Sequence, residues 1–401
     1  MAKIFFEFSS GIGPLIRCLP IALELKKRGH AINYFAHNEC RRYMDKFGFE
    51  HIDINVSVCQ NPKASLRNDW IDADEYWSSF GFSNYEWLSK ETKLWLNELE
   101  NFKPDIIVSD IGVFSSIVAR ILKIPLATIT QSCYHPRIYH EIQGYWMHKE
   151  ICSDTLDAIN KLLASYHTEN LEKFEKLFLG NITLIPSIPE FDKLKEVRKS
   201  DNTYYTGPIL WDGFLECPAK EFSFRLGNAP AVFCYAGQLR DNSGDSSGEL
   251  IHALMEVSEN SNINIVISTG NPEDMKKLQK NIPDNIKVID WLPIQAAHEN
   301  RALVINHGGH GSCMGLLKYG VPGLILATHT EREYNGRLVE QLGTGICLGK
   351  CDFQKDKILD SIDKLLHDSS YMKNAGYYKE LIKTGYKDGE KIAAEKILML
   401  L

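Results

Sequence analysis

The chain has 401 residues with 45 basic and 52 acidic side chains, for a formal net charge of -7 at pH 7. That length exceeds one ordinary core and suits two α/β domains of about 200 residues each, which implies a cleft between them. With 44% hydrophobic and 24% charged residues and no low-complexity segment, disorder is excluded. With no basic run to neutralise a phosphate backbone, so is nucleic acid as a natural partner.

Met1 to Ser9 holds one lysine and a short apolar run, which predicts a first strand and not a signal peptide. A tight turn at Gly11 to Gly13, a helix over Leu15 to Arg28 ending at Gly29, and a strand over Ala31 to Ala36 complete a βαβ unit. The stretch Asn61 to Glu98 is dense in large aromatics, among them Trp70, Trp77, Phe82, Trp87 and Trp95. Most of these are expected in the core of an inserted helical pair, with one or two facing an apolar ligand. Asp105 to Ser109, Val113 to Lys123 and Pro125 to Thr130 read as strand, helix and strand, the rhythm of a parallel, helix-covered sheet. Residues 206–228 mix turn residues with little periodicity and form the expected linker. Strands at Ala231 to Tyr235, Ile263 to Thr269 and Lys287 to Ile289 then alternate with helices at Gly248 to Glu259 and Glu273 to Lys280. The final stretch, residues 388–401, is expected as an amphipathic helix able to pack back on the first domain.

No apolar stretch approaches about 18 residues, so no transmembrane segment is expected. The ten cysteines are scattered, with only Cys347 and Cys351 close together, and give neither a zinc pattern nor a disulfide framework. A reducing cytoplasm is the expected location.

The most informative stretch runs from Trp291 to Glu340. Trp291, Leu292 and Pro293 precede an apolar strand over Leu303 to Asn306, followed by His307, Gly308, Gly309, His310, Gly311 and Ser312. A glycine pair after a buried strand lets the main chain approach a ligand, and a helix opened by Ser312 offers N-terminal amides to a diphosphate. His307 can donate a proton to the same group. Taken alone, Trp291 reads better as a core aromatic at a strand end and His307 as a capping histidine.

With these motifs in this order, the sequence resembles the family 1 nucleotide-sugar glycosyltransferases, including plant secondary-metabolite enzymes and bacterial macrolide or antibiotic glycosyltransferases. The resemblance is carried by GIGPLIRCLPIALELKKRGH at 11–30, KPDIIVSD at 103–110, YTGPILW at 205–211, and the run from Trp291 through GVPGLIL to EREYNGRLVEQLG at 331–343. It implies an α/β protein of GT-B fold, with two Rossmann-like domains facing an interdomain cleft. Residues 1–205 would bind the acceptor, 206–228 would link, and 229–387 would bind the nucleotide sugar. It further implies that Trp291 stacks on the base, that His307, Gly308, Gly309 and Ser312 hold the diphosphate, and that Gly237 lies near the same phosphates. Glu331, Arg332 and Asn335 would meet the sugar. Gly13, Trp77, Phe82, Trp87, Tyr134 and Trp146 would line the acceptor side. GT-B enzymes manage the leaving diphosphate with helix dipoles and side chains, so neither a metal nor an organic cofactor is expected. The nucleotide sugar is a co-substrate, and the oligomeric state stays open.

Three positions depart from the family. Arg332 stands where a Gln usually follows the acidic sugar ligand, so this guanidinium either meets an unusual or acidic sugar or points to solvent. Gly315 stands where many relatives have a ribose-binding Glu, which leaves UDP and dTDP equally credible. Pro14 stands where the family has its catalytic histidine, while Asp110 keeps the position of that histidine's partner. Asp110 could act as the base itself, with its pKa raised by burial, or His135, His140 or Glu141 could replace the histidine. An acidic acceptor could also dispense with a base. The expected function is inverting transfer of a hexose from a UDP- or dTDP-sugar to a lipophilic, aromatic or polyketide-like acceptor. The alternatives are a binding protein without turnover and, from another enzyme class, a GT-B sugar-nucleotide 2-epimerase.

Overall fold

Long apolar runs that do not alternate with polar residues belong to strands covered on both faces, and the parallel sheets of this protein are built from such runs. A computed structural model describes residues 1–8, 12–36, 38–59, 73–136, 154–192, 202–211, 231–235, 246–259, 263–268, 282–289, 303–327 and 330–401. The chain divides into two compact units, Met1–Trp211 with Asp388–Leu401, and Asp212–Lys387.

The first unit contains β1 (Lys3–Phe8), β2 (Ala31–Phe35), β3 (Glu50–His51), β4 (Ile106–Asp110), β5 (Leu126–Ile129), β6 (Ile182–Ile185) and β7 (Thr203–Tyr205). They pair in the order β3-β2-β1-β4-β5-β6-β7, all parallel. The second unit repeats the plan with β8 (Ala231–Tyr235), β9 (Asn264–Ser268), β10 (Ile286–Ile289), β11 (Leu303–Asn306), β12 (Gly323–Ala327) and β13 (Gly345–Gly349). Their order is β10-β9-β8-β11-β12-β13. In each sheet the order reverses between a first strand and its fourth-placed neighbour. Connections leave to opposite sides at such a point, which opens a crevice beyond the strands' carboxyl ends.

Every residue of β4, β5 and β6 is buried. The aromatic-rich helix Tyr85–Phe102 supplies Trp95, fully buried, which stacks on Phe114 with ring centroids 5.8 Å apart and meets Phe35 edge-on at 4.8 Å. In the second unit, Ile265, Ile305 and Leu324 form one core with Ile358 and Ile362 of the helix Lys355–His367.

The first helix spans Ile12–Lys27, beginning before the Leu15 predicted from periodicity and taking Gly13 into its first turn. Pro14 permits this. The amides of a first helical turn have no intrahelical acceptor, so a proline there loses nothing and arrives with helical φ. At the other end of the chain the helix Gly389–Leu398 packs on this first helix and on β6. A Cβ on Gly389 would lie 3.0 Å from the Gly207 carbonyl and from Ile209, so the segment leaving β7 and the returning helix touch backbone to backbone. Lys396 sits 4.3 Å over the Tyr204 ring at the same place. The predicted helix at 273–280 and most of the predicted linker lie outside the described residues.

Candidate active site

The crevice of the second unit lies at the ends of β8 and β11, where Tyr235 and Asn306 are register partners. Asn306 is fully buried, and its Oδ1 accepts the Gly308 N–H at 2.8 Å, a local turn that short polar side chains favour. Its Nδ2 has no hydrogen-bond partner among the described residues. Gly308 has φ 88°, and a Cβ there would lie 2.4 Å from the Arg332 carbonyl oxygen. Conformation and space therefore both demand glycine. Asn335 donates its amide to the Gly308 carbonyl at 3.1 Å and to Glu331 Oε1 at 3.3 Å, which ties the turn to the helix Thr330–Gln341.

After this turn the helix His310–Tyr319 begins at Gly309, which brings no side chain to cap it. Among the described residues, nothing lies within 4 Å of a Cβ built on Gly311. The result is a helix start with open space above it, favourable to an anion. Ser312 is partly exposed beside it.

His307 has its ring centroid 6.0 Å from that of Tyr235. Burial first, and the Arg332 guanidinium second, push its imidazole well below the ordinary histidine value, so at neutral pH it carries one donor and one acceptor nitrogen. Arg332 itself is only 7% exposed. Burial raises the Tyr235 phenol to about 12, and the same guanidinium acts in the opposite sense on it. Of the two placements open for Arg332, the structure has the buried one, with its charge felt at both strand ends.

In the first unit the corresponding crevice lies between β1 and β4, where Phe8 and Asp110 are register partners. Asp110 is fully buried and Arg17 is 5% exposed. Arg17 Nε donates to Asp110 Oδ2 and Nη2 to Oδ1, both at 2.8 Å. This is a bidentate fork with strong geometric definition. Pro14, buried, precedes Arg17 by one helical turn. Where the resemblance implies a histidine held by Asp110, Asp110 holds an arginine from the next turn. That weighs against Asp110 as a directly acting base. Both of its carboxylate oxygens are engaged by one guanidinium, and breaking such a buried pair costs about 3–5 kcal/mol. Arg17 was not singled out in the sequence, because an arginine in an amphipathic helix looks like a surface residue.

Glu7 was also missed. It is paired in register with Ser109, one residue before the Phe8 and Asp110 pair, so the two acids leave the sheet on opposite faces. Glu7 Oε2 accepts the Ser115 N–H at 2.9 Å and caps the helix Val113–Leu122, whose own N-cap is Gly112. A Cβ on Gly112 would fall 2.1 Å from that oxygen. Burial raises the Glu7 carboxyl to about 7. Between Asp110 and Gly112, Ile111 has φ 47°. For a β-branched residue this is a strained conformation costing about 1–3 kcal/mol.

Of the expected acceptor residues, Trp77 and Tyr134 are buried in one aromatic cluster with Phe178, with centroids 5.8 Å and 6.1 Å from it. Phe82 and Trp87 are partly exposed and pack on Phe114 at 5.2 Å and 5.6 Å. Gly13 is exposed. His135 is buried just after the short turn Ser132–Tyr134. His140, Glu141, Trp146, Gly237 and Trp291 lie outside the described residues. Among the described residues no cluster of His, Cys, Asp and Glu could hold a metal ion. No described helix is long and apolar enough to cross a membrane.

Residues 252–382 match the family described as Erythromycin biosynthesis protein CIII-like, C-terminal domain. Over 394 residues, 98% of this chain and 96% of the relative, the sequence is 23% identical to an uncharacterized glycosyltransferase of Methanosarcina acetivorans. Among solved structures, CalG4, the calicheamicin glycosyltransferase, matches with a TM-score of 0.72 at 18% identity, covering 100% of this chain and 98% of that one. The spinosyn rhamnosyltransferase SpnG matches at 17% identity over 96% of each chain. Its TM-score is 0.70 in complex with thymidine diphosphate and 0.71 with the spinosyn aglycone. The fold is therefore GT-B. In sequence the chain is similar to glycosyltransferases, among them macrolide and antibiotic enzymes, and the EryCIII-like match lies within its second unit.

Proposed function

We propose that the protein transfers a hexose, with inversion at the anomeric carbon, from a UDP- or dTDP-sugar to a lipophilic small-molecule acceptor. The observation that carries this reading is the turn His307–Gly308–Gly309, which leads from β11 into an uncapped helix start beside the buried Arg332. A neutral imidazole, free amides and a guanidinium converge where a leaving diphosphate gathers charge. Donors of this kind are worth about 10²–10³ in rate each. The complexes of SpnG with thymidine diphosphate and with the spinosyn aglycone support a nucleoside-diphosphate donor and a small-molecule acceptor. No metal is assigned, and a cytoplasmic setting belongs to the same reading.

The test is to incubate the protein with UDP- and dTDP-hexoses and a panel of phenolic, carboxylic and macrocyclic acceptors, following nucleoside diphosphate and glycoside mass together. Absence of both saturable donor binding and glycoside would sink the reading. A second reading, a binding protein without turnover, is favoured by the Arg17 pair at the place of the usual base. It expects saturable nucleotide-sugar binding with neither product nor donor hydrolysis.

A further inference from the structure

At the amino ends of β5 and β6, the edge of the first sheet away from the Asp110 crevice, lies a cavity of about 390 Å³. That is room for a small organic molecule. Ile124, Pro125, Leu126 and Leu179 give it an apolar wall, and Arg120, Lys123 and Asn181 give it polar groups. No acidic side chain lines it among the described residues. A Cβ on Gly180 would lie 2.4 Å from the Leu126 carbonyl oxygen, so the segments entering the two strands meet backbone to backbone here.

Arg120 belongs to the last turn of the helix Val113–Leu122. Its Nη1 donates to the Ser116 carbonyl at 2.9 Å, and its Nη2 donates to the Lys176 and Leu179 carbonyls at 2.8 and 2.7 Å. These bonds fix the guanidinium, yet every acceptor is neutral. Among the described residues no carboxylate pairs with it and Nε has no acceptor. Burial pushes the group down to about 10, whereas a nearby carboxylate would push it up. A buried cation without a counter-charge is costly, and an anion in the cavity relieves that cost. Lys123, three residues further on, is exposed and has no hydrogen bond or ion pair among the described residues. Asn181 turns its Oδ1 to the Leu126 N–H at 2.8 Å, which leaves its Nδ2 as the group it can offer a ligand.

We infer that this cavity binds a small organic oxyanion, a carboxylate or a phosphate monoester, with Arg120 and Lys123 as its counter-charges and the apolar wall against its body. The site is separate from the acceptor crevice. Asp110 is in register with Ile129, the last residue of β5, whereas the cavity begins at Leu126, the first. At about 3.3 Å per residue the strand sets them on the order of 10 Å apart. The inference does not depend on the transferase reading and stands or falls by itself.

The experiment follows the Nε–H signal of Arg120 by NMR in the full chain made with isotope-labelled arginine, the signal being assigned by its loss in Arg120→Lys. Phenyl phosphate, benzoate, inorganic phosphate and neutral phenol are titrated at constant ionic strength. The expected result is a saturable shift with phenyl phosphate or benzoate and none with phenol, and the organic anion that saturates at the lower concentration identifies the head group. Inorganic phosphate, which has no body for the apolar wall, should bind several-fold more weakly than phenyl phosphate. Lys123→Glu, a change at an exposed side chain, should weaken the organic anions at least about tenfold, the worth of one charge-assisted hydrogen bond. Should Arg120→Lys fail to fold, thermal midpoints decide, since a ligand of the folded state raises them. A rise with the organic anions in wild type that is lost in Lys123→Glu supports the site. A signal or midpoint indifferent to both organic anions, equal effects of phenol, equal binding of inorganic and phenyl phosphate, or unchanged affinity in Lys123→Glu overturns the inference.

Discussion

Asn335 reaches from the helix Thr330–Gln341 to the carbonyl of Gly308 at 3.1 Å, so the residue implied at the sugar also fixes the turn implied at the diphosphate. The same amide touches Glu331 Oε1 at 3.3 Å. Asn335→Ala leaves a buried carbonyl without its donor and is expected to cost about 1–3 kcal/mol of stability. Chemical denaturation should show that loss, and titration should show weaker binding of nucleoside diphosphate. Unchanged values of both would mean the turn stands without Asn335.

The glycines around this turn separate folding from binding. Gly308→Ala places a methyl 2.4 Å from the Arg332 carbonyl at φ 88° and is expected to destabilise the protein by more than about 1 kcal/mol. Gly311→Ala meets nothing within 4 Å among the described residues, so the fold should be retained or gain up to about 1 kcal/mol. If the space above that helix start is where the diphosphate sits, Gly311→Ala should nevertheless weaken nucleotide binding. A stable Gly311→Ala protein with wild-type affinity would move the diphosphate elsewhere.

Arg332→Gln restores the residue usual in the family and removes a buried charge. Nucleoside diphosphate affinity is expected to fall about ten- to a hundredfold, while the nucleoside alone binds as before, since one charge-assisted contact is worth about 1.5–3 kcal/mol. Because the guanidinium helps push the His307 imidazole down, the His307 titration followed by NMR should move upward in this variant. No movement would mean that burial alone sets it.

Two buried acids make stability depend on pH. Glu7 is raised from 4.5 to about 7 and Asp192, which accepts from the Ser132 hydroxyl, from 3.8 to about 6. A folded-state pKa above the unfolded value means the folded protein binds the proton more tightly. The stability so gained is complete below the unfolded values and is lost as pH rises through about 6 and 7. The loss is at most about 3 kcal/mol per group. Glu7→Gln and Asp192→Asn should therefore raise the thermal midpoint at pH 8 and give no comparable gain at pH 4. Equal gains at both pH values would rule out titration as the cause.

The strands and helices around both crevices were legible because buried parallel strands and amphipathic helices carry distinct periods, as Ile106–Asp110 and Val113–Leu122 show. The glycine turn after β11 was legible from its spacing. What the sequence hid were partnerships made by the sheet. Arg17 and Asp110 are 93 residues apart and meet because β4 is inserted beside β1. Glu7 looks like an interruption of an apolar strand until Gly112 and Ser115 are seen against it. Whether Arg332 turned inward depended on packing against Gly308, which periodicity does not encode.

The docking of Gly389–Leu398 on Ile12–Lys27 and on the segment after β7 sets an order of events during synthesis. The first unit is completed by residues 388–401, which are made only after all of 212–387. At about 5–20 residues per second, the helix Ile12–Lys27 waits on the order of twenty to seventy seconds for the partner that covers it. During that interval the nascent chain carries an unfinished apolar face, and a stop codon placed just before Asp388 would make the interval permanent.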